Sequence, residues 1–320
     1  MGSGAKFSDV ANPRPVVRVG TSGQTGCVEW SDMIVSTRGG TAGAKGIEWN
    51  LATTSGPPSG MWDVHVRIGG FAGTNLQLSQ CPTFPTSTNV VRKECIAAYM
   101  SMHITSSAQG LYQENCWLWV ADHDLEDPQY RQITVFAGRG LLIESTNGRI
   151  WLSASGVEHH VLYQYQLSST TNIYMGQIQT ETPYFQPNPP ATIPFSPVAA
   201  IKDPDFVADC KDLTGGPPCE MAWGLRVLGS QNITIFGAGL YSFFNNYSDS
   251  CCQPESGTEC QDRIFDIRDV SSRAKVSGLE TYALNTIGTV RMITRYGTDV
   301  AFAKDNTAGF VDTVAVYHHG

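Results

Sequence analysis

The sequence has little charge, few helical patterns and no long apolar run. Charged residues make up 16% of the 320 residues, and the formal net charge is −8. We find no cluster of Lys or Arg, so nucleic acid and anionic membranes are poor partners. No apolar run approaches the ~18–20 residues that a membrane-spanning helix needs. A neutral polar ligand such as a sugar suits this composition better.

Motifs of several common catalytic and metal-binding classes are absent. The sequence has no G-x-S-x-G, no Ser-His-Asp signature and no CxxC pair. The glycines of AGRG, Gly138 and Gly140, lack the Lys and the helix that complete a phosphate loop. Asp-His-Asp at 122–124 and His-His at 159–160 contain side chains that can bind a metal ion, so a metal site is a minor alternative. Their spacing matches no known metal motif. We therefore expect neither a metal nor a cofactor.

The start of the chain carries no signal peptide. Residues 1–6, beginning MGSG, have the character of an added initiator and spacer. We therefore predict one domain over residues 7–320, cut from a longer secreted chain. Asn232-Ile-Thr and Asn246-Tyr-Ser are sequons that would permit N-glycosylation in a secreted eukaryotic protein.

The nine cysteines are spaced for short-range pairing. The expected pairs are Cys81 with Cys95, Cys210 with Cys219, and Cys260 with either Cys251 or Cys252. Such pairs indicate an oxidising compartment, as secretion would provide. The pairing leaves over Cys27, Cys116 and one of the adjacent cysteines. Cys116 lies in the apolar CWLWVA run, so we expect it to be a buried free thiol.

Short β runs separated by Gly, Asn and Ser turns are abundant. Gly numbers 32 of 320 residues, and β-branched residues are frequent. The clearest runs are MWDVHVRIGG, CWLWVADHDL, RQITVFAGRGLLIES, GRIWLSASG, VEHHVLYQYQL, TNIYMGQIQT, QNITIFGAGLYSFF and DVAFAKDN. The best helical candidate, CIAAYMSMHITSS, could also be a strand. This pattern predicts an all-β fold, either a sandwich, a barrel or a solenoid.

Three features favour the solenoid. Asn followed by an apolar run and Gly recurs at Asn172 and Asn232, and stacked Asn residues are common at the corners of stacked rungs. Many strands are apolar at nearly every position, as buried parallel strands are. Charge is low throughout. One stretch breaks the rhythm, because seven prolines within residues 183–204 require an ordered excursion or an irregular surface insertion rather than a rung.

Two carboxylates, Glu158 and Glu181, lie twenty-three positions apart in otherwise aromatic, amide-rich and apolar sequence. One turn of a parallel β-helix takes on the order of two dozen residues, and neighbouring rungs stack at about 4.8 Å. The two side chains would then lie on adjacent rungs and face one cleft. Close carboxylates raise each other's pKa, and so does burial among aromatic rings. One acid of the pair could then act as the general acid of glycoside hydrolysis.

The blocks WLWVADHDLEDP, VEHHVLYQYQ, GQIQTETPYFQP, DPDF, GLYSFFNNY and DTVAVYH closely resemble the C-terminal half of glycoside hydrolase family 55. The resemblance runs from about Phe7 to His319. It implies a right-handed parallel β-helix, a pectate-lyase-like solenoid, with long Pro-rich loop insertions. Members of this family carry two such helices and are secreted exo-β-1,3-glucanases (glucan 1,3-β-glucosidases). They release glucose from the non-reducing end of β-1,3-glucan with inversion.

The resemblance also implies the site residues. Glu181, in the Q-T-E-T-P-Y block, would be the general acid, and Glu158 would help to organise the attacking water. Tyr184 and Gln179 of the same region would contact the sugar. A stacking Trp and hydroxyl-binding groups would come from Trp117, Trp119, Asp122, His123 and Asp124. Either Trp could instead be a core residue.

The resemblance covers only half of the family's pocket. An inverting pair of carboxyl groups is about 6.5–9.5 Å apart, and neighbours on adjacent rungs are closer, so other polar groups would help to hold the water. By resemblance some of them belong to the N-terminal β-helix half, the partner that this chain lacks. We therefore expect a weakly active or inactive chain with an exposed apolar or aromatic face. The alternatives are a non-catalytic β-glucan-binding module, a structural β-helix and, least favoured, a pectin lyase.

Overall fold

The computed structural model describes residues 1–211, 213, 216–253, 259–295, 298–302 and 315–320. The front sheet contains β1 (Gly2–Ser3), β3 (Glu29–Arg38), β5 (Ser59–Ile68), β7 (Leu111–Glu114), β8 (Trp117–Val120), β10 (Ile150–Ser153), β11 (Gly156–Glu158), β13 (Thr171–Glu181), β15 (Gln231–Tyr241), β17 (Ser277–Ile287) and β20 (Ala315–His319). The back sheet contains β2 (Arg14–Val19), β4 (Ala44–Trp49), β6 (Ile96–Ile104), β9 (Phe136–Ile143), β12 (Tyr163–Ser168), β14 (Trp223–Leu228), β16 (Gln261–Arg268), β18 (Thr289–Arg295) and β19 (Thr298–Phe302). The helical segments are 3-10 turns at Ala5–Phe7, Lys93–Cys95, Ala199–Ile201 and Ser250–Cys252, and one short α-helix, α1 (Phe206–Cys210).

The chain alternates between the two sheets, so one front and one back segment together make one turn of a coil. β13 pairs in parallel with β10 and β11 on one side and with β15 on the other. Between the strands named above, antiparallel pairing is confined to β17 with β20 and β18 with β19. The predicted all-β class with parallel sheets is confirmed. No helix in the described ranges is long and apolar enough to cross a membrane.

The structure defines the sequence run that could be either helix or strand. CIAAYMSMHITSS forms β6, so its apolar residues belong to a buried strand and not to a helix. The run DVAFAKDN begins within β19, and its last four residues lie outside the described part of the chain. Residues 2 and 3, within the segment predicted to be an added initiator, pair in parallel with β3.

A ladder of buried aliphatic side chains fixes the register of the front sheet. Ile150, Ile173, Ile233 and Leu279 are successive in-register partners, and each is almost completely buried. Burying such a side chain contributes about 1.5–3 kcal/mol. A slip of one residue would turn the whole ladder outward, so the alternate positions of the same strands must face outward in a fixed register.

Left-handed backbone residues bend the front sheet at matching positions on successive turns. Gln177, Gly237 and Ala283 have φ of 52°, 77° and 52°, and they divide β13, β15 and β17 into two parts. A second corner stands at Asn172 and Asn232, with φ of 55° and 53°. The Asn232 side-chain amide donates to the Asn172 side-chain oxygen at 3.3 Å, which is the stacked corner that the sequence repeat predicts.

The segment between β13 and β14 crosses the outer side of the back sheet and is anchored there by buried charge. Arg139 of β9 and Asp203 form an ion pair whose side chains are 0% exposed. Arg226 of β14 donates to the Lys202 carbonyl at 2.7 Å. Each charge of such a buried pair needs the other, because a single unpaired charge at that position would destabilise the fold by several kcal/mol. These contacts hold the middle of the segment that begins directly after Glu181.

Three disulfides hold the loops. Cys81–Cys95 and Cys210–Cys219 are confirmed, and Cys260 pairs with Cys251 and not with Cys252. The free cysteines are Cys27, Cys116 and Cys252. Cys116 is buried as expected, and its burial raises the pKa of the thiol to about 11.

Candidate active site

The candidate site lies on the front sheet beyond the bend at Gln177. Successive in-register partners on β5, β8, β11, β13 and β15 form one row there, namely Arg67, Trp119, Glu158, Glu181 and Tyr241. Glu158 and Glu181 are direct neighbours in this row, at the ~4.8 Å spacing of paired strands. The coil thus brings together two acids that are twenty-three residues apart.

Glu158 is a buried carboxyl with one hydrogen-bond donor. Its Oε2 accepts from Trp117 Nε1 at 2.8 Å, and the residue is only 7% exposed. The indole of Trp117 lies against Gly156, where an added Cβ would be 2.9 Å from Cδ1. Burial raises the pKa of Glu158 to about 7, with a smaller contribution from Glu181 and opposition from His159. Glu158 therefore carries a proton in a large share of molecules near neutral pH.

Glu181 is the more accessible acid and is surrounded by donors. Its side chain is 16% exposed. Tyr184 Oη donates to Oε2 at 2.9 Å, and Gln179 Nε2 donates to Oε1 at 3.2 Å. His159 Nε2 approaches Oε2 at 3.4 Å. Both oxygens of Glu181 act as acceptors in the free site, and Tyr184 and Gln179 can donate to another acceptor only by giving up these bonds.

His159 is buried between acceptors. Its Nδ1 donates to the Val120 carbonyl at 2.9 Å and lies 3.6 Å from Asp122 Oδ1, while Nε2 faces Glu181. Burial by itself lowers the pKa of His159, but the carboxylates of Asp122 and Glu181 outweigh it and raise the pKa to about 9. Acceptors on both ring nitrogens fit this imidazolium, which places one fixed positive charge between the acids.

Asp122 is hydrogen-bonded to two other residues of the W-x-W-V-A-D-H-D block, Trp119 and His123. It accepts from Trp119 Nε1 at 3.1 Å and from His123 Nδ1 at 2.8 Å. Burial opposes its ionisation, yet His159 and His123 together lower the pKa of Asp122. The hydrogen bond with Asp122 in turn raises the pKa of His123.

The two tryptophans of the block have different environments. Trp119 is 2% exposed and its N–H donates to Asp122, which favours the open alternative that Trp119 is a core residue. Trp117 is only partly buried, and its ring packs 5.4 Å from that of Trp119. Arg67 lies over the Trp117 ring at 5.4 Å. Trp117 is therefore the indole of the pair that reaches the surface of the site.

Asp124 and His160 are buried and make hydrogen bonds within the fold. The carboxylate of Asp124 is buried and accepts from Leu78 N at 2.9 Å and Gln77 Nε2 at 3.2 Å, which ties down the loop after β5. Both carboxylate oxygens of Asp124 therefore already have donors within the chain. His160 bonds Ser101 Oγ at 2.6 Å, and burial lowers its pKa to about 3. Among the described residues, no three His, Cys, Asp or Glu side chains form a group that could hold a metal ion.

Residues that the sequence did not single out complete the rim. Phe244 stacks on Tyr184 with ring centroids 3.7 Å apart, and burial raises the pKa of Tyr184. Tyr247 N donates to the Tyr184 carbonyl at 2.7 Å, which joins the loop after β15 to the start of the Pro-rich segment. Tyr241 is one turn beyond Glu181, but the insertion separates them by sixty positions in the sequence. A search at one fixed period could not find it.

The chain is similar in sequence to known glucanases. No protein-family model matches the chain. Over its whole length it is 42% identical to a glucan 1,3-beta-glucosidase of Cochliobolus carbonum, of which it covers 38%. It is also 42% identical over its whole length to a probable glucan endo-1,3-beta-glucosidase of Arthroderma benhamiae, of which it covers 34%. The chain is a relative of the glucan 1,3-β-glucosidases. It spans little more than a third of the length of these curated relatives.

This relationship confirms the resemblance that the sequence blocks indicate. Among solved structures, a glucose complex of a variant of sacteLam55A from Streptomyces sp. SirexAA-E superposes with a TM-score of 0.51. The match covers 91% of this chain and 42% of that one, at 16% identity. At this identity the match supports the all-β fold with parallel sheets and says nothing of individual residues.

Proposed function

We propose that this chain is the acid-bearing part of an exo-β-1,3-glucanase that releases glucose from the non-reducing end with inversion. The observation that carries the proposal is the in-register pair of Glu158 and Glu181 beside Trp117, in a chain 42% identical to a glucan 1,3-beta-glucosidase. A neutral sugar also fits the low charge of the chain. Together with this function we propose a right-handed coil, because crossovers between parallel strands are almost always right-handed.

Glu181 is the proposed general acid. It is the more exposed carboxyl, and it lies between Gln179 and Tyr184, two side chains suited to sugar hydroxyls. On binding, these donors would turn toward the sugar. The freed Glu181 oxygen, which carries a proton in the reactive form, would give that proton to the glycosidic oxygen as the bond to the leaving alcohol breaks. His159 would remain in place as the fixed charge behind it.

Glu158 is proposed to help organise the attacking water. Neighbouring strands are about 4.8 Å apart, while a direct inverting pair needs carboxyl groups about 6.5–9.5 Å apart. Glu158 would therefore act together with polar groups from outside this chain, and not as a lone general base. Trp117 would offer the stacking face, and Asp122 with His123 would bind hydroxyls.

The opposite assignment of the two acids has an observation in its favour. The pKa of Glu158 is raised to about 7, which is what a general acid near neutral pH requires. The leaving group distinguishes the two assignments, because 2,4-dinitrophenolate departs without protonation and an alcohol does not. A variant that lacks the general acid therefore keeps activity on the aryl glucoside and loses it on laminarin.

The test uses Glu181→Gln, Glu158→Gln and, as a matched control, the exposed Glu94→Gln. Each variant is mixed with the remainder of its parent protein and assayed on laminarin and on 2,4-dinitrophenyl β-glucoside. We expect Glu181→Gln to lose about 10²–10⁴-fold on laminarin and far less on the aryl glucoside. Glu158→Gln should lose activity on both, and nuclear magnetic resonance should show α-glucose as the first product. Full laminarin activity in Glu181→Gln would rule out its role.

A second candidate function is β-glucan binding without catalysis. The chain spans little more than a third of its curated relatives, so we propose that an N-terminal β-helix half is the partner that completes the pocket. Glucose release by the chain alone and with that half separates the two functions. Strong release by the chain alone would contradict the half-pocket proposal, and binding without release in both assays would favour the binding module.

We also propose that the protein is secreted and glycosylated. Three disulfides suit an oxidising compartment. Asn232 is exposed, and its amide makes only the long 3.3 Å bond to Asn172. Asn246 is half-buried, and its amide donates to the Pro85 carbonyl at 2.9 Å. A glycan is therefore expected at Asn232 and not at Asn246. Peptide mass spectrometry of protein from the culture medium of its native host tests both statements.

A further inference from the structure

A second set of aromatic side chains lies on the front sheet, on the part of each strand before the bend. It occupies six consecutive turns, on β5, β7, β10, β13, β15 and β17. We call it the aromatic strip, and its members are Trp62, Tyr112, Trp151, Tyr174, Phe236 and Tyr282. All six are at least partly exposed, with Tyr174 at 39% and Phe236 at 54%.

Two of the rings lie over glycines of their own strands. A Cβ added at Gly60 would be 1.8 Å from Cη2 of Trp62, and one added at Gly176 would be 2.9 Å from the Tyr174 ring. The rings thus rest on the sheet where any larger residue would displace them. A ring lying on a sheet in this way turns a flat face outward, which is the surface that stacks on a pyranose.

The glycines also make the strip continuous. Gly60 is the in-register partner of Tyr112, so the ring of Trp62 lies beside Tyr112, and the two ring centroids are 6.2 Å apart. Gly176 is the partner of Phe236, so the ring of Tyr174 extends toward Phe236. The next pair, Phe236 and Tyr282, has centroids 5.9 Å apart. Five steps between strands give a strip about 24 Å long, which suits a polymer better than a monosaccharide.

Polar groups border the strip along its length. On β13 the exposed Asn172 precedes the Tyr174 position and the exposed Gln177 follows it. Glu114 accepts from the Tyr112 hydroxyl at 2.8 Å. A protein interface buries about 800 Å² on each partner, with a broad apolar centre. A band one side chain wide between amides and carboxylates instead matches a sugar strand, which has apolar ring faces and hydroxyls along both edges.

We propose that the aromatic strip binds a strand of neutral polysaccharide that runs along the axis of the coil, separate from the acid row. β13 carries both Tyr174 and Glu181, and seven residues of strand span at most about 23 Å. A bound strand is therefore held within about 23 Å of Glu181. Polysaccharide binding follows from the strip itself, whereas the identity of the polymer as β-1,3-glucan rests on the proposed function.

The test compares Tyr174→Ser/Phe236→Ser with Val207→Ser/Val198→Ser. Each variant removes two exposed apolar side chains, the first from the strip and the second from the insertion. The 320-residue chain is produced without N-glycans, and its fold is verified by circular dichroism. Binding is measured by depletion onto insoluble curdlan, cellulose and mannan, with soluble pectate as the charged competitor. We expect at least a tenfold loss of affinity for the strip variant, none for the control pair and no competition by pectate.

The possible outcomes separate the strip from the catalytic proposal. Unchanged binding of the strip variant to all three polymers would overturn the strip as a polysaccharide site. A dimer that only the strip variant dissociates would overturn it too, and would make the strip a contact between copies. Strip-dependent binding to cellulose or mannan but not to curdlan supports the strip and counts against β-1,3-glucan as substrate. Strip-dependent binding to curdlan by Glu181→Gln, with hydrolysis intact in that variant, supports the strip and counts only against the acid.

Discussion

Replacing Glu158 by Gln should flatten the pH dependence of stability between about pH 4.5 and 7. The pKa of Glu158 is raised from its usual 4.5 to about 7 in the folded chain. Below pH 4.5 the carboxyl is protonated in both the folded and the unfolded chain, so it does not change the free energy of unfolding. As the pH rises through this window the unfolded chain ionises while the folded chain keeps its proton, and stability is lost. Each pKa unit corresponds to 1.36 kcal/mol, so the full loss is about 3 kcal/mol.

The variant suits this measurement because Gln resembles the protonated acid. Its side-chain oxygen can still accept from Trp117 Nε1, which donates to Glu158 Oε2 at 2.8 Å. Urea unfolding followed by tryptophan emission at pH 5.0, 6.0 and 7.5 gives the free energy of unfolding. We expect wild type to lose about 2–3 kcal/mol more than Glu158→Gln over this range. Glu94→Gln, an exposed control, should follow wild type.

His159 acts in the same direction at higher pH. Its pKa is raised from 6.5 to about 9, so its stabilisation is complete below pH 6.5 and is lost as the pH rises through 9. Ending the series at pH 7.5 limits this contribution. Most of it is shared by wild type and variant, because Asp122 and Glu181 raise the pKa of His159 more than Glu158 does. Parallel curves for wild type and Glu158→Gln would mean that Glu158 ionises at its ordinary pKa. The argument from burial would then fail, and with it the case for a proton on Glu158 near neutral pH.

Three further changes test other parts of the structure. Asp203→Ala should lower the free energy of unfolding by about 3–5 kcal/mol, since it leaves Arg139 buried without its partner. A loss below about 1 kcal/mol in urea unfolding would refute this. Gly140→Ala should lower the melting temperature, because the new Cβ would lie 2.1 Å from a backbone oxygen of β12. Gly216→Ala is the control in the same assay, since no described atom lies within 4 Å of its added Cβ. Tyr184→Phe keeps the ring but removes the donor to Glu181, so kcat on laminarin in the reconstituted enzyme should fall about 5–20-fold at an unchanged melting temperature, and an unchanged kcat would contradict the contact.

The sequence predicts the coil and the pairing of the acids because both depend on a repeating period. Glu158 and Glu181 are one uninterrupted turn apart, so their register follows from the fold class alone. Tyr241 is also one turn from Glu181, but the insertion lengthens that turn and hides it. Trp117 and Trp119 show a different limit. They share one face of β8, and only the packing above that strand determines which indole is buried.

The hydrogen bonds of the site bear on how it can fold without further partners. Glu181 takes donors from Tyr184 and Gln179, and Asp122 takes them from Trp119 and His123, so these buried or half-buried acids are satisfied within the chain. Folding of the site therefore does not depend on groups from outside the chain. Under the proposed function, a sugar would replace the bonds to Glu181 and a water would be held on the opposite face of the ring. The contacts that stabilise the free site would then be an energetic cost of substrate binding, which groups from the proposed N-terminal half would offset.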